Sequence, residues 1–193
     1  MSSNTKTLSH FAEVPNAEIQ RSTFDRSHGI KTTFDAGKLI PIFVDEVLPG
    51  DTHKLKDSLF GRLATPIVPF MDNLYLDTHY FFVPTRLVWE NWEKFNGAQD
   101  NPDDSTDYIV PTMESPAVTG YAELSLFDHF GIPPKVAGLE HTSLPFRAYN
   151  LIWNEWYRDQ NLQDSVTVNK GDTADLSSVY NILPRGKRKD YFT

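Results

Sequence analysis

Apolar residues are densest over residues 39–48, where Leu39, Ile40, Ile42, Phe43, Val44, Val47 and Leu48 break strict alternation. That near-continuous apolarity predicts a strand covered on both faces, with Pro41 favouring an edge or a strand start. Pro49-Gly50-Asp51 then predicts a turn. Residues 53–59 read as a second strand, and 60–70, broken by Pro66 and Pro69, as an interrupted strand or extended connection. Alternation is cleanest over 74–83. Leu74, Leu76, Thr78, Tyr80 and Phe82 share one face, and Tyr75, Asp77, His79, Phe81 and Val83 the other. Both faces are partly aromatic, so both are expected to meet protein.

After Pro84 the period changes to that of a helix. Val88, Trp92 and Phe95 recur at i, i+4 and i+7, with Thr85 as the expected N-cap and Gly97 as the stop. A long loop is expected over 98–120. Ser125 with Asp128 resembles a capping box opening a short helix, which Gly131 and Pro133-Pro134 end. A longer helix is predicted from Ser143, with Phe146, Tyr149, Trp153 and Trp156 along one side and Ile152 and Tyr157 widening the stripe. Residues 163–193 read as polar loop with a short strand at 165–168. Strands first and helices later, without βαβ alternation, point away from a Rossmann or TIM organisation and predict an antiparallel, mainly β fold. Three or four strands are too few to close a sandwich. The expected organisation is an arm (1–38), first strands (39–84), a helical insertion (85–160) and a loop with a basic end (161–193).

Composition adds constraints. The 193 residues are enough for one substantial core, and 39% hydrophobic, 13% aromatic and 23% charged residues describe a globular chain. The absence of cysteine excludes disulfides, iron–sulfur clusters and thiolate zinc sites in this chain. No apolar run reaches the roughly 18–20 residues of a membrane span, and residues 1–10 are too polar for a signal-peptide core, so no membrane partner is expected.

A net charge of −8 argues against a general polyanion binder, yet the charge is segregated. Seven acidic residues and no Lys or Arg lie between Gly97 and Phe130, whereas Arg185, Lys187, Arg188 and Lys189 crowd the end. Those four are candidate contacts to DNA phosphates, against the plainer reading of a solvated loop.

Chemistry-bearing constellations are weak. The carboxylates of 100–107 lack the glycine and distal glutamate of an EF-hand, so a solvated loop is the better reading. The six histidines have no ligand spacing, Ser58, Ser125 and Ser143 lack a glycine elbow, and no glycine-rich phosphate loop is present. No cofactor and no metal are expected. An enzyme on a β-sandwich needs facing carboxylates, for which Asp45 and Asp77 are the one nominable pair. A glycan-binding module using exposed Trp and Tyr competes with the helical core spacing of Trp89, Trp92, Trp153 and Trp156.

Long strings in the chain carry a resemblance. They are Arg21-Ser-Thr-Phe-Asp-Arg-Ser-His-Gly-Ile-Lys-Thr-Thr-Phe-Asp-Ala-Gly37, Leu39-Ile-Pro-Ile-Phe-Val-Asp-Glu-Val-Leu-Pro-Gly-Asp-Thr52 and Tyr80-Phe-Phe-Val-Pro-Thr-Arg-Leu-Val-Trp-Glu-Asn-Trp-Glu-Lys-Phe-Asn-Gly97. Leu144-Pro-Phe-Arg-Ala-Tyr-Asn-Leu-Ile-Trp-Asn-Glu-Trp-Tyr-Arg-Asp-Gln160 and Arg185-Gly-Lys-Arg-Lys-Asp-Tyr-Phe-Thr193 complete the set. In these the chain resembles the major capsid proteins of microviruses, and of the gokushovirus branch in particular.

The resemblance implies a viral jelly-roll sandwich with helical insertions in its connecting loops. It is incomplete here, because family members are much longer and this sequence is expected to be their N-terminal portion. It further implies a non-enzymatic virion protein, made in the host cytoplasm, that self-assembles into an icosahedral shell around single-stranded DNA alongside other virion proteins. The helical loops would supply contacts between subunits, which nominates Trp89, Trp92, Phe95, Phe146, Tyr149, Trp153 and Trp156 for the interface.

Overall fold

A computed structural model describes residues 20–105 and 107–186. The chain divides into two compact units, Met1–Lys31 and Thr32–Thr193. In the first, residues 20–31 form no helix or strand. Asp25 accepts hydrogen bonds from the Ser27 hydroxyl (2.5 Å) and amide (2.9 Å), which hold its carboxyl below the ordinary value.

In the second unit, the helix predicted from Ser143 is α3 (Leu144–Ile152), continued by a π-helical segment at Trp153–Tyr157. Pro145 sits in the first turn, where its missing N–H costs nothing. The Arg158 amide donates to the Trp153 carbonyl at 2.9 Å, closing the wider turn. The shorter helices are α1 (Trp92–Phe95), preceded by a 3-10 turn at Thr85–Leu87, and α2 (Leu126–His129). Gly97 ends α1 at φ 94°, as its sequence position predicts. The continuous helix expected from Thr85 is instead broken, with Pro84 in the capping position and no side-chain cap. The Ser125 hydroxyl makes no cap bond to α2. The expected box does not form: the Ser125 amide turns to the Ala122 carbonyl, and the Asp128 carboxylate accepts from the Leu124 amide one residue earlier, at 2.8 Å.

Among the described residues the one sheet is an antiparallel pair, β1 (Thr112–Glu114) with β2 (Glu140–Thr142), in the register Thr112↔Thr142, Met113↔His141 and Glu114↔Glu140. The loop expected over 98–120 therefore contains β1. Conversely, the predicted strands at 39–48, 53–59, 74–83 and 165–168 form no ladder. Periodicity reports which faces require cover, whereas a strand exists only where a neighbouring backbone accepts its hydrogen bonds. Residues 37–39 do find one. The Leu39 amide donates to the Leu183 carbonyl (3.0 Å) and the Arg185 amide to the Gly37 carbonyl (2.8 Å), with Lys38 bridging antiparallel to Pro184. At 165–168 a side chain substitutes for a strand: the Asn154 amide both accepts from the Val166 N–H (2.9 Å) and donates to the Val166 carbonyl (2.8 Å).

The core is aromatic and lies between α2, α3, β1 and residues 180–183, with Met113, Tyr121, Leu126, Phe127, Phe146, Tyr149 and Tyr180 buried together. Tyr121 stacks on Phe127 with ring centres 3.8 Å apart, and Phe146 meets Phe127, Phe130, His141 and Tyr180. The His141 Nδ1 faces the Thr142 carbonyl, so it carries the proton there. Nε2 is left to accept from the Tyr121 hydroxyl at 2.8 Å.

Gly120 closes the loop between β1 and α2 at φ 65°. A Cβ there would lie 2.5 Å from the Val136 amide nitrogen and 2.6 Å from its carbonyl oxygen. Gly120→Ala combines left-handed strain with a backbone collision that no rotamer relieves. It is expected to cost about 2 kcal/mol or more, read as a lower urea midpoint at unchanged m-value.

Candidate functional site

The densest polar constellation among the described residues is built around Arg147, a charged residue wholly buried on α3 between Phe146 and Tyr149. Its Nε and Nη2 form a fork with the Asp175 carboxylate at 2.6 and 3.0 Å. Nη1 donates to the Val88 carbonyl (3.1 Å) and the Gly171 carbonyl (2.9 Å), and Nη2 also donates to the Thr173 carbonyl (3.3 Å). All five guanidinium hydrogens are thereby used. Asp175 also accepts from Asn169 Nδ2 (2.6 Å) and the Tyr180 hydroxyl (2.9 Å). Burial pushes the Asp175 carboxyl up, but the hydrogen bonds from Arg147, Asn169 and Tyr180 outweigh it and hold the group below its ordinary value. Burial, then the Asp175 bond, raises the Tyr180 phenol.

The same loop holds Trp89. Asp172 accepts from the Trp89 indole (2.5 Å) and from Asn91 (2.6 Å), and the Glu90 amide donates to the Lys170 carbonyl at 3.0 Å. Residues 169–175 thus tie the segment 85–95 to α3. Chemically this is a closed ion pair. It has no spare donor on the cation. A neighbouring cleft of about 250 Å³ is lined by Thr167, Leu176, Val179 and Tyr180, with Asp175 as its carboxylate, already engaged.

A second constellation sits at the end of α3, where the odd face of 74–83 meets the π-helical segment. Asp77 pairs with Arg185 Nη1 at 2.7 Å, His79 Nδ1 shares a 2.5 Å hydrogen bond with the Tyr157 hydroxyl, and Phe81 packs against Tyr157 and Trp156. The Trp153 indole donates to the Pro184 carbonyl and the Gly186 amide to the Tyr157 carbonyl. Close by, the Tyr149 hydroxyl donates to the Leu39 carbonyl and accepts from the Leu183 amide, both at 2.9 Å. Burial raises that phenol to about 12, with the Leu183 bond opposing. On the other face of the segment, Thr78 donates to Asp57 (3.3 Å), and hydrogen bonding to Asp57 raises the Tyr80 phenol.

The nominated residues separate under this geometry. Trp89, Phe146, Tyr149 and Trp153 are buried inside the chain, whereas Trp92 is half-buried and Phe95 and Trp156 are exposed, Trp156 at 73%. Of the basic cluster, Arg185 is engaged by Asp77, and Lys187, Arg188 and Lys189 lie outside the described residues. Asp45 accepts from the Glu46 amide, and Asp77 is tied to Arg185. Within 100–107, Asp104 accepts from the Asn101 and Asp100 amides, which hold its carboxyl low. No group of three or more His, Asp or Glu among the described residues is arranged to hold a metal. Sequence reasoning missed Arg147, Asp172 and Asp175. The available signal was an arginine flanked in sequence by aromatic residues within a predicted core helix.

The buried charges described above are engaged within the chain, while apolar strand-like segments lie open. The chain belongs to the family of the phage capsid protein (F protein), whose profile matches residues 12–193. It is 56% identical over 183 residues to capsid protein VP1 of Bdellovibrio phage phiMH2K and 50% identical over 204 residues to that of Chlamydia phage 1. Each alignment covers 95% of this chain and 34% of the relative. Capsid protein VP1 of Spiroplasma virus 4 is 40% identical over 159 residues, 82% of this chain and 29% of that protein. The chain therefore spans about a third of the length of the curated relatives it matches, and the expected kinship with gokushovirus capsid proteins holds.

Proposed function

We propose that this chain forms part of a major capsid protein that self-assembles into a small icosahedral shell enclosing single-stranded DNA. One observation carries the reading beyond family membership: a sealed aromatic core stands beside a long apolar stretch left uncovered. Phe60, Val68, Phe70, Leu74, Leu76 and Phe82 are all more than half exposed. Apolar exposure on this scale marks contact surfaces. A jelly-roll sandwich whose first strands are 39–84 and whose helical insertion is 85–160 gives those segments ladder partners from outside this chain. Among the described residues no helix is long and apolar enough to cross a membrane.

The role is association, not turnover. Copies of the protein, packaged DNA and other virion proteins are the partners, the virion is the location, and the host cytoplasm is the place of synthesis. The arm 1–38 links subunits, gaining order at an entropic cost. Trp156, Phe95 and Trp92 are the interface candidates that surface accessibility supports.

The test is sedimentation and electron microscopy of a VP1-length protein carrying this sequence. Shells or shell fragments are expected, and a strictly monomeric species at every ionic strength rejects the proposal. In that protein Trp156→Ala is expected to lower assembly yield, with the monomer's circular dichroism unchanged.

A further inference from the structure

Arg185 was nominated from sequence as a phosphate contact, yet its guanidinium is already bound by a carboxylate from 108 positions earlier in the chain. The Arg185 side chain nonetheless keeps a third of its surface open and Asp77 a quarter. A pair that keeps this much solvent access is open to competition by another anion. Asp77 is also one of three clips on a single strap. Below it, His79 bonds and stacks with Tyr157, ring centres 5.8 Å apart, and Phe81 leans on Trp156 at 5.7 Å. The strap has no ladder of its own, so these side chains, with Thr78 and Tyr80 against Asp57 on its other face, position it.

We propose that Asp77 acts as an internal phosphate mimic, occupying Arg185 until the phosphate backbone of single-stranded DNA displaces it and loosens the 74–83 strap. The inference rests on the DNA-enclosing reading above and adds to it a masking contact and a consequence. Engagement of nucleic acid makes available the one segment whose alternation best suits a strand. Phosphate is the fitting competitor because a guanidinium recognises it with the same forked geometry it offers a carboxylate. Arg185 also opens the basic sequence that continues through Lys187, Arg188 and Lys189, so a polyanion gains from neighbouring charge where a single carboxylate does not.

The experiment measures binding of a fluorescently labelled oligo-dT to the 193-residue chain by anisotropy at two salt concentrations, with hydrogen–deuterium exchange of 74–83 followed in parallel. Asp77→Asn is expected to tighten binding by about two- to fivefold, the scale of a partly solvent-accessible ion pair. Asp103→Asn, which removes the same charge from the exposed acidic loop, is expected to change it far less. Arg185→Ala is expected to weaken binding and to flatten its salt dependence. Oligonucleotide is expected to speed exchange across the strap in the parent chain, but not in Asp77→Asn, where exchange starts fast.

If Arg185→Ala weakens binding but Asp77→Asn does no more than Asp103→Asn, Arg185 is a DNA contact without a mask and the proposal is overturned. If Arg185→Ala binds like the parent, the phosphate assignment itself fails. Binding without any change in strap exchange overturns the coupling.

Discussion

Arg147→Ala is expected to cost the 193-residue chain about 3–5 kcal/mol, because it leaves the buried Asp175 carboxylate without its cation. It also strips the donor from three backbone carbonyls, those of Val88, Gly171 and Thr173. A loss of that size is a large part of a domain's whole stability, so the expected readout is collapse of the cooperative urea transition. Arg147→Lys keeps the charge but cannot reproduce the fork, and an intermediate loss is expected.

The ion pair also makes a pH prediction with a defined sign. Asp175 titrates below its ordinary value in the folded chain, so its contribution is fully present above the unfolded carboxylate value of about 3.9. It is lost as pH falls through the lowered folded value. Acid unfolding below about pH 4 should therefore be steeper in the parent than in Asp175→Asn, and identical acid profiles would show that the carboxylate is not coupled to folding.

Phe146→Ala carries the second large effect. The ring lies within 4.6–5.8 Å, centre to centre, of Phe130, Phe127, His141 and Tyr180, and its residue is 2% exposed. Truncation removes both transfer energy and packing partners and leaves a cavity that four rings cannot all collapse into, at about 3–5 kcal/mol. Trp156→Ala on the same helical stripe is the natural contrast. With Trp156 73% exposed, the change is expected to alter the chain's own stability by no more than about 0.5 kcal/mol. Equal losses for the two substitutions would show that the stripe is not divided into a packed half and an open half.

That division marks what the chain's pattern revealed. The 3.6-residue period located α3 and its apolar face, and glycine chemistry located the end of α1, because both are local properties. Periodicity could not say that Phe146 and Trp153 face inward while Trp156 does not, since that depends on which distant segment covers each turn. The period-2 pattern of 74–83 identified two faces correctly in one respect: Asp77, His79 and Phe81 do act together against the end of α3. It did not foresee that no ladder forms, because backbone pairing depends on neighbours and not on composition. The three-residue strands β1 and β2 were too short for any period to register. The Arg147–Asp175 pair spans 28 positions and was hidden because charge along a sequence carries no sign of burial. The capsid kinship was legible from long aromatic strings, which needed no structural inference at all.

The closure of 37–39 against 183–185 has a consequence for biosynthesis. Leu39 leaves the ribosome 144 residues ahead of Leu183, the residue whose carbonyl its amide engages. At roughly 5–20 residues per second the earlier segment waits on the order of 7–30 s for that partner. Throughout that interval the Leu39 amide lacks its native acceptor, so the nascent polypeptide is a natural client for a holding chaperone.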